Sequence, residues 1–83
     1  MNLYRISQEK NNDYDTYDSA VVCAESEDDA RRIHPCDYKT DWDGSAQGKY
    51  DDWAAADDVK VELIGTAIEG LPRGVVCASF NAG

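Results

Sequence analysis

Four segments of the chain combine alternating or continuous apolar residues with polar boundaries, a pattern that predicts four β-strands. These segments are residues 3–8, 19–24, 59–64 and 75–80. The alternation is clearest in the third segment, where Val59, Val61 and Leu63 are predicted to face a core. The turn residues at 70–74, which include two glycines and a proline, predict that the third and fourth strands form a hairpin.

One short helix is predicted after the second strand. Ser26 is a suitable N-cap residue, and the three acids that follow it suit a first helical turn, where free N–H groups attract negative charge. Ala30 and Ile33 are predicted to face the core, and Pro35 ends the helix because proline disfavours a helical residue before it. Residues 36–58 lack a sustained period and predict a long loop with a helical turn near residues 53–56.

Together these elements predict a single acidic α+β domain spanning residues 1–83. Its architecture is an antiparallel or mixed sheet of about four strands in the order β-β-α-loop-β-β, with one short helix packed on the sheet. A chain of 83 residues supports only one thin core, and its hydrophobic fraction of 42% is sufficient for folding. The sheet edges of so small a domain are compatible with a monomer or a weak dimer.

The charge composition restricts the class of partner. Eight basic and seventeen acidic residues give a net charge of −9, which disfavours direct binding to nucleic acid or to anionic membranes and favours basic protein surfaces. The first residues do not resemble a signal peptide, and no segment is long enough to span a membrane. Three cysteines without close pairs suit reduced thiols. We therefore expect a cytosolic protein.

Candidate catalytic and metal-binding residues do not form a recognisable motif. His34 and Cys36 follow a helix end, where a thiol is not activated, so His34 is interpreted as a residue that favours the helix dipole. Cys23 and Cys77 stand alone in apolar strands, which is typical of small hydrophobic residues rather than zinc ligands. The aspartate-rich loops lack the glycine and glutamate spacing of a calcium loop. We expect no metal, no cofactor and no enzymatic activity.

Two acidic loops carry the candidate partner-binding residues. These residues are Asp13, Asp15, Asp18, Asp41, Trp42, Asp43, Asp51, Asp52 and Trp53. Tryptophan often dominates interface energies, and carboxylates pair with Arg or Lys of a partner. A rigid array of carboxylates can also imitate duplex DNA, which carries one negative charge per about 1.7 Å. The alternative is a solvated acidic face with both tryptophans packed beneath it.

Three runs, DYDTYDSAVV at 13–22, ESEDDARRIHP at 25–35 and ASFNAG at 78–83, resemble a group of short proteins encoded by phages and prophages. Small acidic phage proteins of this kind include anti-CRISPR proteins, several of which bind the DNA-recognition surface of a Cas effector complex. The resemblance implies an inhibitor of a host defence complex that acts in the host cytosol, although no motif transfers inhibitor residues to this chain. The alternative is a phage accessory or adaptor protein, not an enzyme, whose acidic face serves solubility.

Overall fold

The computed structural model describes residues 1–11, 15–36, 42, 44–45 and 52–81. Its elements in chain order are strands β1 (Asn2–Ser7) and β2 (Thr16–Ala24), helix α1 (Glu27–Arg31), a 3₁₀ turn (Ala56–Asp58), and strands β3 (Lys60–Thr66) and β4 (Gly74–Asn81). The strands form one antiparallel sheet in the order β3-β1-β2-β4. This agrees with the predicted small α+β class. Most of the predicted central loop, residues 37–41, 43 and 46–51, lies outside the described residues.

The hairpin of β1 and β2 forms the centre of the sheet, and its alternating side chains build the core. Tyr4 and Ile6 of β1 lie on one face, beside Ala20 and Val22 of β2. Ala30 of α1 packs against the same face. The period of two in each strand thus creates the apolar face, and the helix buries it.

The predicted hairpin between the third and fourth strands is wrong, because β3 and β4 occupy opposite edges of the sheet. β1 and β2 pair with each other along their lengths, so each has one free edge, which β3 and β4 respectively occupy. The connection between the edges passes the end of the sheet, where the Ala67 N–H donates to the Met1 carbonyl over 3.1 Å. It then turns through Gly70, whose φ of +90° suits glycine.

The edge position of β3 also overturns the prediction that Leu63 faces the core. Leu63 lies opposite Tyr4, yet its exposed fraction is 58%. Val59 is buried and Val61 packs against the core as predicted. An edge strand has no neighbour on its outer side, so alternation in sequence does not by itself secure burial.

Helix α1 begins where the sequence predicted. Ser26 is its N-cap, and the Ser26 Oγ accepts a hydrogen bond from the Asp29 N–H over 3.1 Å. The Asp29 carboxylate in return accepts from the Glu25 N–H over 3.0 Å, and it also accepts from the Arg73 Nε over 2.7 Å. These bonds fix the start of the helix to the segment before β4. The helix ends at Arg31, but Ile33 beyond it is still buried in the core.

Candidate functional site

The predicted partner-binding residues fall into four groups. Asp15 and Asp18 are exposed, and Asp52 and Trp42 are half-buried. Trp53 is buried, with an exposed fraction of 1%. The remaining four, Asp13, Asp41, Asp43 and Asp51, lie outside the described residues.

Trp53 is a core residue, which corrects its predicted role as a contact residue. It belongs to the same apolar cluster as Ile6, Val22 and Ile33. A side chain enclosed in this way offers no surface to a partner. In a chain with a single phenylalanine, the indole supplies volume that few other residues can provide. The alternative prediction, that tryptophan packs beneath the acidic loops, therefore holds for Trp53.

His34 lies at the centre of an aromatic cluster. The ring centroid of Trp42 is 5.2 Å from that of His34, with an edge-to-face geometry, and those of Tyr17 and Trp53 are at 6.4 and 6.5 Å. Phe80 extends the cluster through Tyr17, at 4.8 Å between centroids. Edge-to-face rings at these distances stabilise one another beyond the area they bury. The cluster connects the segment after α1 with the start of β2 and the end of β4.

The imidazole of His34 is engaged by the protein main chain and by a carboxylate. Its Nδ1 accepts a hydrogen bond from the Cys36 N–H over 3.0 Å, so the proton of the neutral ring resides on Nε2. Nε2 lies 3.2 Å from Asp52 Oδ1. His34 is 3% exposed, so it is a buried residue anchored by the Cys36 N–H, and its predicted effect on the helix dipole stays a prediction. The approach of Nε2 to Asp52 places these two residues next to each other.

Sequence patterns did not reveal these contacts of His34. A single histidine three residues after a helix has no periodic signal, and Asp52 is far from it in sequence. The hydrogen bond with Cys36 involves the backbone N–H, and therefore gives no support to the thiol–imidazole pair considered from the sequence.

Five exposed carboxylates lie at one end of the sheet, which we call the acidic end. It comprises the exposed residues Glu9, Asp15, Asp18, Asp57 and Asp58. Antiparallel pairing creates this grouping, because Ser7 at the end of β1 lies opposite both Ser19 of β2 and Lys60 of β3. The loop after β1, the start of β2 and the 3₁₀ turn before β3 therefore meet there. Glu9, Asp57 and Asp58 were not predicted as contact residues, since only the strand register brings them to the same end of the sheet as Asp15 and Asp18.

Charge at the acidic end is largely uncompensated. The Lys60 Nζ lies 3.6 Å from the Glu9 Oε2, but both side chains are exposed, and such a pair contributes little. Within the described part of the chain, Asp15, Asp18, Asp57 and Asp58 take part in no ion pair. Their charge remains available to a basic partner.

The opposite end of the sheet also carries acids, but arginines neutralise part of its charge. Arg31 Nη1 lies 3.2 Å from Asp28 Oδ1, and Arg73 Nε lies 2.7 Å from Asp29 Oδ1. These acids also stabilise the first turn of α1. The two ends of the sheet thus differ in pairing: two acids near the helix pair with arginines, whereas four of the five acids at the acidic end form no ion pair within the described residues.

The residues that the structure describes contain no group of three or more His, Cys, Asp or Glu side chains placed to hold a metal ion. All three cysteines are free thiols. Among the described residues, no helix has the length and apolar character needed to cross a membrane. Comparisons of the chain with models of protein families, with curated proteins and with solved structures gave no match.

Proposed function

We propose that this protein is a phage-encoded inhibitor that binds the basic nucleic-acid-binding surface of a host defence complex, such as a CRISPR effector, and blocks DNA by occupying its site. The observation that carries the proposal is the acidic end, where four exposed carboxylates, those of Asp15, Asp18, Asp57 and Asp58, take part in no ion pair within the described part of the chain. The mechanism is occlusion, so it requires a rigid charged surface and no bond-making step.

The spacing of charge supports imitation of a nucleic-acid backbone. Four strands at a separation of about 4.8 Å make the sheet roughly 14 Å wide between its outer strand axes. The five carboxylates of the acidic end therefore lie at a density of about one per 3 Å of width, against one per about 1.7 Å along duplex DNA. The two charge densities differ by less than a factor of two. Arginine and lysine side chains that are spaced to contact phosphates can therefore also contact these carboxylates.

Rigidity distinguishes such a surface from an acidic tail. The Asp15 N–H donates to the Asn81 carbonyl over 2.6 Å, and the Tyr17 N–H donates to the Asp52 carbonyl over 2.8 Å. The Asp58 N–H donates to the Ala55 carbonyl over 2.9 Å. Because the backbone carrying these acids is fixed, binding does not have to order it, and less entropy is lost.

Two charge variants with the same net charge test the proposal. In the acidic-end variant, Asp15, Asp18, Asp57 and Asp58 become Asn. In the matched control, Glu25, Glu27, Glu62 and Glu69 become Gln. Each variant neutralises four carboxylates and changes the net charge from −9 to −5.

The assay is capture of purified CRISPR effector complexes by the tagged protein, followed by DNA binding of the captured complex at low and high salt. We expect wild type and control to capture the complex and displace DNA, most strongly at low salt. The acidic-end variant should bind more weakly, by about fourfold to several hundredfold, since each of the four lost exposed pairs costs about 0.2–1 kcal/mol.

Three results would count against the proposal. Equal weakening by both variants would mean that net charge, and not the acidic end, drives binding. Binding that does not weaken with salt would exclude an electrostatic mimic. Failure to capture any effector would favour the alternative, an accessory protein whose acidic face keeps it dissolved.

A further inference from the structure

The face of the sheet opposite α1 carries a polar groove near the acidic end. Because side chains alternate along a strand, Arg5 and Ser7 lie on the face opposite the core residues Tyr4 and Ile6. The groove has a volume of about 480 Å³, within the range of about 300–1,000 Å³ that is typical of small-molecule sites. All four strands and the residues directly after β1 contribute to its walls.

One row of side chains crosses the whole sheet along this groove. Ser7 of β1 lies opposite both Lys60 of β3 and Ser19 of β2. Ser19 in turn lies opposite Ser79 of β4, and all four residues line the groove. The hydroxyls of Ser7 and Ser79 form no hydrogen bond within the described part of the chain. Each can therefore donate to a ligand or accept from it.

Positive charge lies on the β1 and β3 side of the groove. Glu62 lies opposite Arg5 in the register, but Arg5 lines the groove and Glu62 does not. Of the ion pairs among the described residues, none involves Arg5. Lys60 supplies a second positive charge, since its contact with Glu9 spans 3.6 Å between two exposed groups and contributes little.

Negative charge lies on the β2 side, on backbone that is held in place. Asp18 lines the groove, and its Oδ1 accepts a hydrogen bond from the Ser19 Oγ over 3.1 Å. The Asp18 carbonyl accepts from the Gln8 N–H over 3.3 Å. The side chain of Gln8 is 3% exposed and donates to the Tyr17 carbonyl over 2.9 Å, while its Oε1 accepts from the Asn11 N–H over 2.8 Å. This wall of the groove is therefore ordered before any ligand binds.

The charges of the groove restrict the class of ligand. Arg5 and Lys60 are balanced by Glu9 and Asp18, so the lining as a whole is neutral. A free anion is repelled by the net charge of −9, and a free cation would lie next to Arg5 and Lys60. A molecule that carries both charges meets neither obstacle. Its carboxylate can contact the two basic side chains while its ammonium group contacts Asp18.

We propose that the polar groove binds a small zwitterion of the α-amino acid class. Its carboxylate lies against Arg5 and Lys60, its ammonium group lies against Asp18, and the serine hydroxyls bind its remaining polar atoms. For glycine, the smallest ligand of this class, we expect a dissociation constant on the order of 10 mM, since few atoms make contact. The site does not depend on the proposed displacement of DNA, although Asp18 belongs to both surfaces.

Titration of the ¹⁵N-labelled protein with glycine, acetate and methylammonium, at constant ionic strength and followed by amide chemical shifts, tests the proposal. Acetate carries only the carboxylate of glycine, and methylammonium carries only its ammonium group. We expect glycine to shift the amide signals of residues 7, 19 and 79 along a saturable curve. Each fragment should bind about tenfold more weakly, because it lacks one of the two charged contacts.

Two pairs of matched variants locate the site. Arg5→Gln and Arg32→Gln each remove one exposed arginine and change the net charge from −9 to −10. Arg5→Gln should weaken glycine binding about tenfold, whereas Arg32→Gln, which lies outside the groove, should not change it. Asp18→Asn and Asp57→Asn each remove one carboxylate of the acidic end, but only Asp18 lines the groove. Only Asp18→Asn should therefore weaken glycine binding.

Three results would overturn the proposal: no saturable shift with glycine up to about 100 mM, acetate or methylammonium that binds as tightly as glycine, or equal effects within either pair of variants. If Arg5→Gln does not fold, the comparison of the three compounds on the wild-type protein still decides. Asp18→Asn and Asp57→Asn should weaken capture of an effector alike. Loss of glycine binding and loss of effector capture are therefore separate outcomes, and failure of one proposal does not imply failure of the other.

Discussion

Replacement of Trp53 by alanine is expected to destabilise the domain severely. A buried tryptophan removes about 150–250 Å² from water, which at about 25 cal/mol per Å² corresponds to roughly 4–6 kcal/mol. Measured Trp→Ala costs in protein cores are about 3–5 kcal/mol. The free energy of unfolding of an 83-residue domain is about 4–12 kcal/mol. Trp53→Ala therefore removes at least a quarter of the stability and can unfold the domain outright.

Urea denaturation followed by far-ultraviolet circular dichroism measures this loss without using tryptophan fluorescence. Trp53→Phe should cost less, because a benzene ring fills part of the same space. Trp42→Ala is the matched control: Trp42 is half-buried at the margin of the same cluster, and we expect a cost of about 1–2 kcal/mol.

A Trp53→Ala variant whose free energy of unfolding lies within about 1 kcal/mol of the wild-type value would refute the assignment of Trp53 to the core. If such a variant also lost binding to a target, Trp53 would be a contact residue, as the sequence first suggested. The experiment thus separates the packing role from the contact role, which the pattern of aromatic and acidic residues left open.

Two further stability predictions concern the start of α1 and the buried histidine. Ser26→Ala should cost about 1 kcal/mol through loss of the N-cap, and Asp29→Ala should cost more, since Asp29 accepts from the Glu25 N–H and also pairs with Arg73. Urea denaturation that ranked Ser26→Ala as the more damaging change would contradict the assigned contacts. His34→Phe should cost about 1–3 kcal/mol because the Cys36 N–H loses its acceptor, while His34→Asn offers an oxygen in its place. Equal thermal stability of His34→Phe and wild type would show that the hydrogen bond from the Cys36 N–H does not stabilise the domain.

The sequence determined those parts of the fold that depend on neighbouring residues. Alternating or continuous apolar residues identified all four strands, and Ser26 marked the start of the helix. The capping bond at Ser26 spans three residues, and strand alternation has a period of two. Such interactions form within a few residues of the chain, so their signals are visible in the sequence.

The position of each edge strand was decided by the tertiary structure. Turn residues at 70–74 suggested a hairpin, but a turn fixes only that the chain changes direction, not which strand it meets. β3 and β4 pair with the outer edges of β1 and β2, and these contacts are far apart in sequence. The prediction that Leu63 is buried was wrong for the same reason. Alternation indicates on which face of the sheet a side chain lies, whereas the position of the strand in the sheet decides how much of that face is covered.

The candidate site divides in the same way. Sequence composition established the excess of acids and predicted Asp15 and Asp18 as part of a binding surface, a prediction that the charge variants test. Only the register brought Asp57 and Asp58 to the same end of the sheet and gave Trp53 and His34 buried positions. A charge is a property of a residue, but a charged surface is a property of the packing that places residues together, because strands pair across long stretches of chain.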